Sequence, residues 1–226
     1  MDAENVVGAR SRLLESVPSP DGEVAAKILA ACPTVDVVAG EPYFHSSLPA
    51  GALMIVERGF VVLRMAPPRM NRSIITCDAG PGRLVLPPAS EEALFALVDS
   101  QLTVISPNAL DALLALPGAA KTMLEQLAVT LGQKQEAIGN LGSRWHIDRV
   151  RRKLLQLAGN YGRVARDGVR IDFPLSHTLL ADMVGSSRET VTRSLDELQR
   201  VGFVARRGHT YRLLISPDFV ALATQP

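Results

Sequence analysis

The segment from Pro174 to Leu214 constrains the fold more tightly than any other part of this 226-residue chain. Leu179, Leu180, Met183 and Val184 fall at helical spacing, and Ala181 is small where a second helix would cross closely. Gly185 ends that helix as a left-handed residue would. Ser186-x-x-Glu189 follows at once and reads as a capping box that starts a new helix. Val191, Leu195 and Leu198 share its inner face, and Arg188, Glu189, Thr192 and Arg193 lie on a different, polar one. Two helices joined by a short glycine-containing turn make a helix-turn-helix. Val169 to Phe173 alternates like a strand just before the motif. After it, Phe203 to Ala205 and Thr210 to Leu214 read as strands joined by Arg206-Arg207-Gly208-His209. That is a hairpin with a basic tip, the wing of a winged helix.

These residue types suit double-stranded DNA. The second helix of such a motif enters the major groove N-terminus first. Arg188 and Glu189 would lie in its first turn, with Arg193 about one turn later on the same side. An arginine donates bidentately to guanine O6 and N7, and a glutamate accepts from cytosine N4. Ser186 and Ser187 are placed to meet phosphate at the helix N-terminus, and Arg206 and Arg207 to lie against phosphates from the wing. Taken alone, Ser-Arg-Glu-Thr also reads as a capped surface helix with pairs such as Glu189 and Arg193.

The charge pattern agrees with DNA as partner, although the whole chain is only +1. Residues 145–226 hold 13 Lys+Arg against 8 Asp+Glu, and residues 1–144 hold 11 against 15. A basic end on an acidic module fits a DNA-binding domain attached to a different kind of unit. No apolar run approaches the roughly 18 residues that span a bilayer, and the polar N-terminus does not resemble a secretory signal, so a cytoplasmic protein without membrane contact is expected.

Upstream the texture differs. Between Thr34 and Ser106, short apolar runs such as Leu53–Val56, Phe60–Met65, Leu94–Val98 and Leu102–Ile105 alternate with Gly and Pro. They predict an antiparallel barrel or sandwich, with Arg58-Gly59 as a tight hairpin turn. Val24, Ile28 and Leu29 suggest one face of a short helix before it. Helical period returns at Pro107, and Pro117-Gly118 starts a long helix. There Leu124, Leu127, Leu131, Lys134, Ile138 and Leu141 recur at spacings of 3 and 4, a heptad seam. The seam predicts a homodimer; the other reading is an amphipathic helix lying on its own barrel. Gly139 and Gly142 place a hinge near 139–144. Another helix is expected from Trp145 to about Gly159, with Arg149, Arg151, Arg152 and Lys153 as its basic residues.

Gly185-Ser-Ser-Arg-Glu-Thr-Val-Thr-Arg-Ser-Leu-Asp-Glu-Leu resembles the recognition helix of the Crp/Fnr superfamily. Glu136-Ala-Ile-Gly-Asn-Leu141 resembles the end of that family's dimer helix, and Met54-Ile-Val-Glu-Arg-Gly-Phe-Val62 resembles its strand–glycine–strand signature. The resemblance implies an α+β chain in three parts. Residues 1–106 would form a cyclic-nucleotide-binding-like β-barrel (jelly roll), 107–144 the dimerisation helix and hinge, and 145–226 the winged helix-turn-helix. It further implies Arg188, Glu189 and Arg193 as base readers, palindromic TGTGA-like half-sites, and RNA polymerase as a partner.

The family's cyclic AMP cassette is missing. Its Arg-Ser pair falls near Ser90-Glu91, where a glutamate would repel a phosphate. The adenine-facing Thr-Ser pair falls at Lys134-Gln135. Cyclic AMP is therefore not expected as the effector; Arg83, Lys134 and Gln135 are the remaining candidates for an unidentified one, and a ligand-independent regulator is the alternative. No cofactor is expected to be required. An iron–sulfur cluster needs about four cysteines, and only Cys32 and Cys77 exist. A haem needs an axial ligand such as His or Cys; His45 and Cys77 are candidates, and both read as structural. Enzyme signatures such as HExxH, GxSxG and the Walker loop are absent, no metal site is expected, and a cupin-like metal barrel would want more than His45. A scaffold dimer that has lost DNA binding would carry a degraded recognition helix, and this one is intact.

Overall fold

The computed structural model describes residues 17–43, 48–66, 73–89, 91–140, 145–216 and 219. The chain divides into two compact units, one of residues 1–70 and 76–135, the other of 71–75 and 136–226. Among the described residues no helix is long and apolar enough to cross a membrane.

Among the described residues, the first element of the first unit is α1 (Asp21–Ala30), which buries Ala25 and Leu29. Val24 is exposed rather than part of that face. Six strands follow: β1 (Thr34–Val37), β2 (Pro42–Tyr43), β3 (Leu53–Met65), β4 (Ile74–Ala79), β5 (Leu84–Val85) and β6 (Glu92–Ile105). They form one sheet in the order β1-β6-β3-β4, with β2 on β6 and β5 on β3. The observed pairs are antiparallel. The path leaves β1 and β4 as edges, so the sheet is jelly-roll-like rather than a closed barrel. Met54, Val56, Val61, Leu63, Leu94, Leu102 and Val104 belong to its core. A second cluster packs Ile55, Leu84 and Ile105 with Leu29, Leu113 and Met123 of the helices.

The expected hairpin at Arg58-Gly59 is not formed. β3 runs straight through both residues, and the runs expected as separate strands fuse into β3 and β6. Gly59 has φ +91, and a Cβ there would lie 2.1 Å from Ser100 Oγ. The Phe60 N–H donates to that same oxygen at 3.0 Å. The glycine therefore marks an irregularity where the register against β6 shifts. It bends a long strand, as a bulge does, instead of reversing it.

Two helices follow, α2 (Pro107–Leu114), capped by Ser106, and α3 (Pro117–Asn140). α3 divides its faces unequally. Met123, Thr130, Gln133 and Ala137 are buried, whereas Leu124, Leu131 and Ile138 are 64%, 55% and 68% exposed. Leu127 packs on the core of its own unit. The seam positions thus differ in exposure: Leu124, Leu131 and Ile138 face solvent, whereas Leu127 and Lys134 are half-buried against their own unit. The exposed row reads Leu124, Ala128, Leu131, Gln135, Ile138. Leu141 and most of the expected hinge lie outside the described residues.

The second unit holds α4 (His146–Tyr161), β7 (Gly162–Ala165), β8 (Gly168–Ile171), α5 (His177–Val184), α6 (Arg188–Arg200), β9 (Val204–Arg207) and β10 (Thr210–Leu213). The strands form a sheet in the order β7-β8-β10-β9. Val150, Leu154 and Leu157 of α4 are buried in this unit, as are Leu180 and Val184 of α5, Val191, Leu195 and Leu198 of α6, and Tyr211 and Leu213 of β10. β7 was not expected from the sequence. It is four residues long and its middle pair, Arg163 and Val164, is exposed, so it carries no alternating apolar signal.

Candidate DNA interface

The helix-turn-helix is formed by α5 and α6. Ser176 caps α5, its hydroxyl accepting from the Leu179 N–H at 3.0 Å. Gly185 ends the helix in the left-handed region with φ +58, as its position predicts. The cap of α6 differs from expectation by one residue. Ser187, not Ser186, accepts from the Thr190 N–H, at 3.2 Å. Ser186 is 5% exposed and its hydroxyl lies 3.1 Å from His146 Nδ1. Ser186 is thus enclosed beside His146, whereas Ser187 is exposed at the cap.

Arg188, Glu189 and Arg193 are exposed at the start of α6. The backbone N–H of Glu189 and the Ser187 hydroxyl hold the Glu189 carboxyl below its ordinary value, aided by Arg188 and Arg193. Glu189 is therefore an ionised acceptor at neutral pH, the state that can receive a hydrogen bond from a base amine. Thr192 is half-buried; its hydroxyl donates to the Arg188 carbonyl at 2.9 Å and lies 2.7 Å from His177 Nδ1.

His177 was not singled out by the sequence, yet it joins the recognition helix to the wing. Its Nε2 meets the Arg206 guanidinium. An arginine can only donate, so Nε2 accepts and the network assigns the proton to Nδ1. Burial first, and then the charges of Arg206 and Arg188, hold the imidazole below its ordinary pKa; Asp196 opposes them. The wing pairs β9 with β10, and Arg206 and Arg207 are strand residues rather than the turn itself. The turn is Gly208-His209, with Gly208 at φ +62. Arg207 is exposed. A cleft of about 390 Å³ on the wing sheet is lined by Arg170, Arg206, Arg207 and Arg212, with Asp172 among them.

Arg149 is a second residue missed in its role. It reads as one of a basic run but is 3% exposed. It donates to the Val184 carbonyl at 2.8 Å, to the Asn140 carbonyl and to His146 Nδ1. Lys153 of the same run is also buried, and Arg151 stacks 5.3 Å above the Phe203 ring.

In the first unit the effector candidates separate. Lys134 Nζ lies 2.6 and 2.8 Å from the two carboxylate oxygens of Glu92. Glu92 also accepts from the Thr76 hydroxyl at 2.6 Å and from the Ala89 N–H at 3.1 Å. Burial raises the Glu92 pKa, but Lys134, Thr76 and Ala89 outweigh it and the carboxyl sits below its ordinary value. The carboxylate side chain is 5% exposed and the lysine 25%. Next to it, Gln133 brackets Asp78, accepting from its N–H at 3.1 Å and donating to its carbonyl at 3.2 Å. Gln135 is exposed, Glu91 is exposed and Arg83 is half-buried; Ser90 lies outside the described residues. Both cysteines are buried and neither is in a disulfide. His45 lies outside the described residues, among which no cluster of three metal-binding side chains occurs.

Residues 148–224 match the model of the Crp-like helix-turn-helix domain. The chain is 36% identical over 94 residues to the global nitrogen regulator of Synechococcus elongatus, a match covering 42% of each protein. It is 26% identical over 182 residues to the CRP-like cAMP-activated global transcriptional regulator of Mycobacterium tuberculosis, covering 77% of this chain and 80% of the relative. The structure of a CooA mutant from Carboxydothermus hydrogenoformans superposes with a TM-score of 0.68 over 88% of this chain and 90% of that one, at 16% identity. Residues 148–224 therefore form a Crp-like helix-turn-helix domain, and the chain is similar to Crp-type transcription regulators.

Proposed function

We propose that the protein is a sequence-specific DNA-binding transcription regulator that acts as a homodimer. The observation that carries this reading is the exposed Arg188, Glu189 and Arg193 at the start of a capped helix flanked by a basic wing. In a dimer formed along α3, two such helices would enter successive major grooves about one helical turn apart. The operator would be a palindrome with TGTGA-like half-sites. RNA polymerase is the further partner that the resemblance to Crp-type regulators suggests.

The ion pair between Lys134 and Glu92 supports a regulator that does not answer to cyclic AMP. A carboxylate already satisfied by an ammonium, a hydroxyl and an amide has no use for a second cation. An incoming phosphodiester would meet an ammonium already engaged by a carboxylate instead of a free basic group. The mycobacterial relative is named for activation by cyclic AMP; this chain is proposed to differ in its effector or to work without one.

The test compares Arg188→Ala with Arg207→Ala on a TGTGA-N6-TCACA duplex and a scrambled duplex, with and without cyclic AMP. Loss of a base reader removes about 1–3 kcal/mol of discrimination, whereas loss of a phosphate contact weakens both duplexes alike and lowers the salt slope by about one. Cyclic AMP is expected to change neither affinity. Equal effects of the two substitutions would contradict the assignment of Arg188, and a cyclic AMP-dependent gain would contradict that of the first unit.

A further inference from the structure

The buried guanidinium of Arg149 joins the last described residue of α3, Asn140, to the end of α5. α5 ends at Val184, where the last carbonyls lack helical partners and carry the negative end of the helix dipole. Arg149 donates to the carbonyls of Asn140 and Val184 and lies 3.4 Å from that of Gly185. Its other arm meets His146 Nδ1, which lies 3.1 Å from the Ser186 hydroxyl. Gly185 and Ser186 are the turn that leads directly into the Ser187 cap of α6. The fork thus fastens Asn140 of the long helix to the backbone that sets where α6 begins, and all of these residues belong to the second unit.

We propose that Arg149, assisted by His146, is a positioning residue. It would fix the turn at Gly185-Ser186, and with it the direction of the reading helix, to Asn140 of α3. A planar five-donor group can serve three carbonyls and an imidazole together, which a lysine cannot. Displacement of the Asn140 end would reach the reading helix through this one side chain. The DNA consequence rests on the regulator reading above; the coupling itself does not.

Arg149→Met, Arg149→Lys, His146→Ala and Ser186→Ala would be compared with the full-length wild type. Two readouts are needed: discrimination between the palindromic and scrambled duplexes, and amide hydrogen exchange without DNA. Arg149→Met, which removes all of these contacts, is expected to reduce discrimination about tenfold. The salt slope should stay unchanged, because Arg206 and Arg207 are intact. Amide protection at 138–140 and at 186–190 should fall together while β9 and β10 keep theirs. Arg149→Lys should restore part of both. His146→Ala and Ser186→Ala leave the guanidinium on its carbonyls, so they decide the matter if Arg149→Met fails to fold; the same paired loss, smaller in size, is expected. Folded variants with wild-type discrimination, or loss of protection at only one of the two ends, would overturn the proposal. If the wild type itself does not discriminate the duplexes, the operator reading fails and exchange alone judges the coupling.

Discussion

Single residues decide what each unit can respond to. Lys134 and Glu92 form a mostly buried pair, and removing one partner of such a pair typically costs about 3–5 kcal/mol because the other is left uncompensated. Lys134 is a quarter exposed, so the lower end of that range applies. Lys134→Met should lower the unfolding free energy accordingly and raise the Glu92 pKa. The double variant Lys134→Met with Glu92→Gln should recover much of the loss; a double variant as unstable as the sum of the singles would show that the two do not interact. Because the folded-state pKa of Glu92 is depressed, its stabilisation is present above the ordinary carboxylate range. It is lost as pH falls through the lowered value.

His177 gives a second pH dependence, in a range nearer neutrality. Its imidazole is held below its ordinary pKa by burial and by Arg206 and Arg188, with a minor push from His209 and an opposing pull from Asp196. The unfolded chain binds the proton more readily, so the contribution of neutral His177 is complete above its ordinary value of about 6.5 and lost as pH falls through the folded-state value. Thermal unfolding of the wild type should weaken across that window, and His177→Gln should weaken less. Parallel pH profiles for the two would contradict the link between His177 and the wing. Neither Lys134 nor His177 could be placed from the sequence. Lys134 occupies a seam position that reads equally well as facing a partner or facing in. His177 precedes an apolar run as any helix N-terminal residue might, and only the hairpin folding back brings Arg206 to it.

At the scale of elements, local chemistry made the second unit readable. Gly185, the serine cap and the apolar positions 191, 195 and 198 each act within a few residues, so α5, α6 and the wing follow from spacing alone. The first unit was harder to read. Gly59 looks like a turn because glycine tolerates positive φ, but its φ serves a close approach to Ser100 on a distant strand. The cap was misplaced by one residue because Ser186 and Ser187 are chemically identical; burial against His146 separates them. In α3, sequence found the heptad and could not say which row packs inward. The exposed row yields a prediction. Leu131→Glu or Ile138→Glu should convert a dimer to monomers in sedimentation, with little effect on thermal unfolding measured at concentrations where the wild type is also monomeric. Unchanged dimers would move the interface elsewhere.

At the scale of the whole molecule, the near-zero net charge conceals an uneven distribution. The +5 of residues 145–226 against the −4 of residues 1–144 concentrates phosphate affinity at the helix-turn-helix and wing. Binding should then be strongly salt-dependent, through release of counterions from the DNA backbone. Specificity is a separate quantity, here proposed to rest on Arg188, Glu189 and Arg193, and it should survive changes in salt that alter affinity for every duplex. The family's fold was legible because its most local motif, the recognition helix, is intact; the state of the first unit was not, because it rests on which side chains from distant strands meet Lys134.

The most direct test titrates the wild-type protein against a TGTGA-N6-TCACA duplex and a scrambled duplex at several salt concentrations. The account predicts that the palindrome binds at least about a thousandfold more tightly, and that affinity for both duplexes falls steeply as salt rises. Equal affinity for the two duplexes at every salt concentration would contradict the claim that α6 reads this sequence.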